Sequence, residues 1–164
     1  MNSTQIITSA KTALNQIPAI HRKYVPDLRD MLVLDYGAGK GLGTSFLRDE
    51  HGIDCKAYDP FNMPGSERVL EEGPFDVILV ANVLNVLESD TLLMDVIHDI
   101  ISRIVVGGHA IIGIHEGDRG GVGCVTPRGW QRNEKTAEYR KRIEGIQGVE
   151  VSMSKGSIIV TRVP

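Results

Sequence analysis

Leu34-Asp35-Tyr36-Gly37-Ala38-Gly39-Lys40-Gly41-Leu42-Gly43 decides the reading of this chain: an apolar run closes on an acid, four glycines alternate, and a helix start follows. Glycines at such a junction let the backbone turn at positive φ and approach a ligand closely, while the helix N-terminus presents unpaired N–H groups. The loop therefore reads as a binding loop; a tight strand-to-helix turn without a ligand is the plainer alternative. It is not a phosphate-binding Walker loop, because Gly39-Lys40 lacks a glycine five positions earlier and a Ser or Thr immediately after. It also misses the dinucleotide pattern, since Leu42 occupies the third glycine position counted from Gly37 and Gly39.

Outward from the loop, MLVLDYG reads as a buried strand, and residues 42–50 as the helix after it. IDCKAYDP is a second strand ending at Asp59, with Pro60 and FNMPGS stopping it, and Asp59 lies 22 residues after Gly37. In a parallel sheet that acid shares a crevice with the glycine loop, where a carboxylate can accept both hydroxyls of a ribose at about 1.5–3 kcal/mol per bond. Asp35 supplies a second carboxylate. Two acids beside the loop repel a pyrophosphate and suit a ligand with an ammonium and a sulfonium, which favours S-adenosylmethionine over NAD or a nucleoside triphosphate.

FDVILVANV is the central strand. A helix over residues 89–104 presents Leu92, Leu93, Val96, Ile97, Ile100 and Ile101 on one stripe and is expected to stop at Gly107-Gly108. HAIIGIH is the fourth strand, WQRNEKTAEYRKRIEGI has helical composition, and VEVSMS and SIIVTRV around Lys155-Gly156 form a terminal hairpin. At the other end, Ile6, Ile7, Ala10, Ala13, Leu14 and Ile17 lie on one helical face that starts near Ser3 or Thr4 and ends at Pro18. The expected architecture is α/β, mostly parallel with a C-terminal antiparallel hairpin. It forms a single domain over 1–164, with a helical segment at 1–30 before an α/β core at 31–164.

Composition agrees with such a domain: 164 residues, 41% hydrophobic and 24% charged, enough to fold without disulfides or a structural metal. Cys55 and Cys124 form no C-x-x-C pair and read as free thiols of a reducing compartment. Without an 18-residue apolar run or a signal-peptide layout, a cytoplasmic protein with no membrane partner is expected. Charge is uneven: residues 31–118 hold 15 acidic and 5 basic side chains, residues 119–142 hold 2 and 7.

VLDYGAGKG, the acid of YDP and FDVILVANVLNVLES together resemble the class I S-adenosylmethionine-dependent methyltransferases, over almost the whole chain. KTA at Lys11 to Ala13, LDYGAGKG, YDPF and VLNVL are similar, more narrowly, to small methyltransferases of phages and of loci beside bacterial DNA phosphorothioation genes. The resemblance implies that Asp35, Gly37 and Gly39 line the methionine part of the donor, with Tyr36 and Ala38 in the same stretch. It implies that Asp59 holds the ribose, Pro60 and Phe61 lie near the adenine, and Ala81 and Asn82 face the methyl donor centre. One departure stands out: only 16 residues separate Asp59 from Asp76, so the usual second crossover helix and third strand are shortened or missing. Glu71 or Glu72 then becomes the substitute for adenine-side contacts.

The acceptor is less legible. Ala81-Asn82-Val83-Leu84 stands where DNA amino-methylases carry a [DNS]-P-P-[YF] string, and no proline precedes either cysteine as in cytosine-C5 enzymes. His115 is the first candidate for a general base and Glu116 for holding or polarising an acceptor; Asn82 and Asn85 are candidates for orienting acceptor or donor, or for turn formation. A metal triad of His115, Glu116 and Asp118 is disfavoured because adjacent strand residues point to opposite faces, so no metal is expected. GDRGGVG at 117–123 reads as a lid or a solvated crossover. Arg128, Trp130, Gln131, Arg132, Asn133 and Lys135 suit a nucleic-acid acceptor or an amphipathic helix packing Trp130 on the sheet. His98 and His109 read as structural, while His21 and His51 have no evident partner. A methyltransferase acting on a small molecule or nucleic acid is the leading reading. A non-catalytic S-adenosylmethionine-binding partner or sensor is its alternative, and a nicotinamide-dependent oxidoreductase a third.

Overall fold

The computed structural model describes residues 15–164, so the helix expected over residues 4–17 falls almost wholly outside the described residues. Two short helices, α1 (Ala19–Lys23) and α2 (Val25–Leu28), lead into β1 (Leu32–Tyr36). Then come α3 (Leu42–Ser45), β2 (Asp54–Tyr58), β3 (Phe75–Ala81), α4 (Asp90–Ser102), β4 (Ile104–Gly113), β5 (Cys124–Thr126), β6 (Gly129–Gln131), α5 (Thr136–Glu144), β7 (Val149–Ser154) and β8 (Ser157–Arg162). Helix α3 continues as a π-helical turn over Phe46–Glu50, which completes the expected helix in a wider winding.

Six strands form one sheet in the order β2-β1-β3-β4-β8-β7. β2, β1, β3 and β4 run parallel, and the terminal hairpin adds β8 and β7 antiparallel. Because successive strand residues face opposite sides, adjacent apolar residues serve two cores. Leu34, Ile78 and Val80 pack with Leu93, Ile97 and Ile100 of α4 and Tyr139 and Ile143 of α5. Val33, Val77 and Leu79 pack with Ile20, Leu28 and Leu47 beneath α1, α2 and α3. The result is a three-layer sandwich, and the strand order reverses between β1 and β3, which opens a crevice beyond their C-terminal ends.

The short interval after Asp59 has a clear outcome. Among the described residues no strand pairs with the outer side of β2, and the crossover to β3 is a 3-10 helix over Ser66–Glu72. Lys56 Nζ holds Asp54 at 3.2 Å and Glu72 at 3.3 Å along this edge, and Arg48 Nε donates to the Cys55 carbonyl.

Two boundaries differ from the sequence expectation. Helix α4 ends at Ser102, and Gly107-Gly108 sits inside β4 instead of stopping the helix. Pairing passes from Phe75↔Ile104 to Val77↔His109, so residues 105–108 bulge opposite Asp76 alone. Gly107 at φ +85° and Gly108, where a Cβ would lie 2.7 Å from the Asp76 carbonyl oxygen, permit the close approach. The helix expected from Trp130 onward begins only at Thr136, because Gly129–Gln131 pairs with Cys124–Thr126. Trp130 therefore packs inside that small hairpin, against Gly123 and beneath Arg132, and not on the main sheet. Among the described residues, no helix is long and apolar enough to cross a membrane.

Candidate functional site

A cavity of about 540 Å³ opens beyond β1 and β3, walled by the glycine loop, Asp59 to Asn62, Ala81 to Val83, and Gln16 to Ala19. The glycine loop holds φ of +80° at Gly37, +61° at Gly39 and +85° at Gly41, which side-chain-bearing residues rarely adopt. The Gly37 and Ala38 N–H groups both donate to the Tyr58 carbonyl, at 2.7 and 3.0 Å, and tie the loop to β2. A Cβ at Gly37 would lie 2.5 Å from Val83 Cγ2, so only glycine fits between loop and facing wall.

Asp59 is the hub of the opposite wall. Its Oδ1 accepts from the Phe61 and Asn62 N–H groups at 3.0 and 2.9 Å, and its Oδ2 from the Gly39 N–H at 2.8 Å and Asn62 Nδ2 at 3.1 Å. Its own N–H donates to Ser66 Oγ at 3.0 Å, which anchors the shortened crossover. Pro60, Phe61, Ala81 and Asn82 line the cavity with it, and Asn82 sits at φ +56° with its N–H on the Gly113 carbonyl at 2.9 Å. Tyr36 and Tyr58 meet edge to face with centroids 4.9 Å apart. The Tyr36 hydroxyl donates to Asp99 Oδ2 at 2.8 Å; burial and that carboxylate hold its ionisation far above neutral pH.

Asp35 departs from expectation. It does not line the cavity: its carboxylate is buried, accepts from Thr44 Oγ1 at 2.7 Å, and lies 2.9 Å from Nε2 of the fully buried His21. The two-acid charge argument thus reduces to one acid facing the cavity, Asp59, since Asp35 lies outside its lining. Sequence reasoning missed His21, Arg22 and Gln16. Nothing in the spacing of a short helix after Pro18 marks a histidine that reaches under a loop 14 residues on.

His115 and Glu116 also stand outside the cavity lining. His115 is exposed, and Glu116 accepts the Thr136 N–H at 2.6 Å and pairs with Arg119 at 3.4 Å, so it caps α5. That backbone donor, opposed by desolvation and aided by Arg119, holds the Glu116 carboxyl below its ordinary range. A depressed pKa gives stability that is complete above the unfolded value and is lost as pH falls through the folded one. Glu116→Gln should therefore cost about 1 kcal/mol at pH 7, the worth of a helix cap, and the gap from the unsubstituted protein should close in acid denaturation profiles below the usual carboxylate range. Asn85 is buried away from the cavity, donating from Nδ2 to Gln131 Oε1 at 3.1 Å. Neither Glu71 nor Glu72 reaches the cavity, Glu72 being held by Lys56.

The basic segment is largely neutralised within the chain. Arg119 pairs with Glu116, Arg132 with Asp90 and Glu134, Arg140 with Glu144, Lys141 with Glu138, and Arg142 with Glu134. Gln131, Arg132 and Asn133 are buried, so they form no stacking and phosphate-binding surface. The 117–123 loop is tied down by Asn133, whose carbonyl accepts from the Gly121 N–H at 2.8 Å and whose Nδ2 donates to the Val122 carbonyl at 3.0 Å. Among the described residues, no group of three or more His, Cys, Asp or Glu side chains is placed to hold a metal ion. Cys55 and Cys124 are free, and burial pushes the Cys55 thiol up out of the reactive range.

Strand order, glycine loop and crevice together define the Rossmann-like methyltransferase fold. Solved structures of that class superpose on this chain. A Burkholderia thailandensis 1,6-didemethyltoxoflavin-N1-methyltransferase, with 1,6-didemethyltoxoflavin and S-adenosylhomocysteine bound, matches with a TM-score of 0.61 at 18% identity, over 89% of this chain and 79% of that one. The N-methyltransferase NodS of Bradyrhizobium japonicum WM9, in complex with S-adenosylhomocysteine, matches with a TM-score of 0.51 at 16% identity, over 98% and 99%. An O-methyltransferase family protein of B. thailandensis gives 0.54 at 14% identity, over 88% of this chain and 57% of that one. No family model matches the sequence, and no curated protein matches it.

Proposed function

We propose that the chain is an S-adenosylmethionine-dependent methyltransferase acting on a small molecule. The observation that carries this reading is the glycine loop stapled to Asp59 at the mouth of the crevice, because a donor with a ribose needs that acid and that flush backbone side by side. Gly37 to Gly39 take the methionine part, Asp59 exchanges its loop N–H partners for ribose hydroxyls, and Pro60 and Phe61 bound the adenine. Arg22 and Lys40, which line the cavity and make no ion pair with a carboxylate among the described residues, suit the amino-acid carboxylate. When bound, the donor supplies a methyl group on a sulfonium: the sulfur–methyl bond breaks as the acceptor–methyl bond forms, leaving a thioether and releasing the acceptor's proton.

Ala81 and Asn82 face the reacting centre in this reading, and alignment of the acceptor is the protein's main task. The similar solved protein named for a small acceptor, and the ion-paired state of the basic segment, favour a small molecule over nucleic acid. The cytoplasm and the single-domain organisation over 1–164 belong to the same proposal, as does the kinship with phage and phosphorothioation-associated methyltransferases. Calorimetric titration with S-adenosylmethionine and S-adenosylhomocysteine is expected to give micromolar binding, with none for NAD or ATP. His115→Ala should leave that affinity and the transfer of labelled methyl groups within twofold of the unsubstituted protein, whereas Asn82→Ala should reduce transfer at least tenfold. Binding of NAD alone would end this reading.

A further inference from the structure

Asp35 immediately precedes the glycine loop and Thr44 follows it, and their 2.7 Å hydrogen bond closes the loop at its base. The same Asp35 Oδ2 lies 2.9 Å from His21 Nε2, off the line of a hydrogen bond, so that the two side chains are in close polar contact. The imidazole rests directly on Gly43, where a Cβ would lie 2.5 Å from its Cδ2 and 2.6 Å from its Nε2. Both His21 and Asp35 are buried, at 0% and 2% exposure, so neither side chain can turn to solvent without moving the element that carries it.

His21 belongs to α1, whose Ala19 and Arg22 line the cavity together with Gln16, Ile17 and Pro18. A helix of five residues does not hold its own position, so α1 is placed by what it touches. Ile20 meets Gly113, Arg22 lies over the Phe46 ring with 5.3 Å to its centroid, and His21 joins the helix to the loop base. The glycine loop and the wall facing it are thus pinned to one carboxylate oxygen.

We propose that His21 is a positioning residue that couples occupation of the glycine loop to seating of the N-terminal wall, so that donor binding and closure of that wall are one event. The inference rests on the reading of the cavity as a donor site. It is tested by trypsin cleavage after Arg22 and Lys23, with and without saturating S-adenosylhomocysteine, beside calorimetric affinity for the same compound. The unsubstituted protein is expected to be cleaved at least tenfold more slowly when the compound is bound. His21→Ala is expected to lose that protection and to bind at least tenfold more weakly. Leu93→Ala, a buried α4 residue outside the cavity lining, is the control for general destabilisation and should keep affinity and protection within threefold. Should His21→Ala not fold, His21→Leu fills the ring's volume without its polar contact to Asp35 and takes its place.

Retention of affinity and protection by the His21 variant would overturn the proposal, and so would equal losses in Leu93→Ala. If the unsubstituted protein binds no S-adenosylhomocysteine, the donor reading fails instead. Cleavage of the unliganded proteins then reads the seating alone, and equal rates with and without His21 would overturn it.

Discussion

Asp59→Ala is expected to lower affinity for S-adenosylhomocysteine by more than 100-fold while the protein remains folded. Two effects of the one carboxylate combine. In the unliganded protein it accepts four N–H groups, from Gly39, Phe61 and twice from Asn62, and so fixes the distance between the two walls of the cavity. With the donor bound it is the only acid among the described lining residues that can accept ribose hydroxyls. Two charge-assisted bonds at about 1.5–3 kcal/mol each correspond to a factor of at least 10² in affinity. Asp59→Asn should lose nearly as much, because an amide nitrogen turned toward the Gly39 N–H opposes donor to donor. Titration calorimetry measures the loss, and binding within threefold of the unsubstituted protein would exclude Asp59 from the site.

Arg132→Ala carries the largest expected cost in stability. The residue is 5% exposed and its guanidinium reaches across the fold: Nε donates to the Leu87 carbonyl at 3.1 Å, one Nη to the Glu88 carbonyl at 2.9 Å, and the other to Asp90 Oδ1 at 2.7 Å and Glu134 Oε1 at 3.3 Å. It joins the segment after β6 to the turn that leads into α4, directly below the cavity wall formed by Val83, Val86 and Leu87. Truncation removes the fork from two carbonyls and leaves Glu134, itself mostly buried, with Arg142 alone. Breaking such a pair costs about 3–5 kcal/mol, or roughly 10 °C in Tm for a chain of this length. Arg132→Lys should recover only part of it, since an ammonium cannot serve four acceptors in one plane. Thermal unfolding followed by circular dichroism checks both, and a shift under 3 °C for Arg132→Ala would show that these bonds form equally well with water.

The elements that could be read from the sequence are those whose signal is local. Val33-Leu34, Ile78-Leu79 and the stripe of α4 announce buried strands and an amphipathic helix through periodicity alone, and the shortened crossover between β2 and β3 follows from a count of residues between Asp59 and Asp76. Asp59 was legible because strand order places the end of β2 beside the loop. What escaped depended on contacts across the chain. Asp35 is taken up by a histidine 14 residues upstream, Gly107-Gly108 serves a bulge opposite Asp76, and Arg132, Arg140, Lys141 and Arg142 are absorbed by Asp90, Glu134, Glu138 and Glu144. His115 and Glu116 follow a strand that ends beside the crevice, yet His115 is exposed and Glu116 is drawn to the Thr136 N–H at the start of α5, a contact across the chain that residue types do not encode.

The edge at β2 carries a further consequence for how copies of this protein behave toward one another. An unpaired outer strand is a template for another chain, and parallel sheets with a bare edge tend to associate. Here the Cys55 carbonyl is already capped by Arg48, and Lys56, held between Asp54 and Glu72, stands along the strand where a neighbour would dock. Self-association through this edge must first displace two long cationic side chains from their partners, so the same shortening that removed a strand left a border guarded against aggregation.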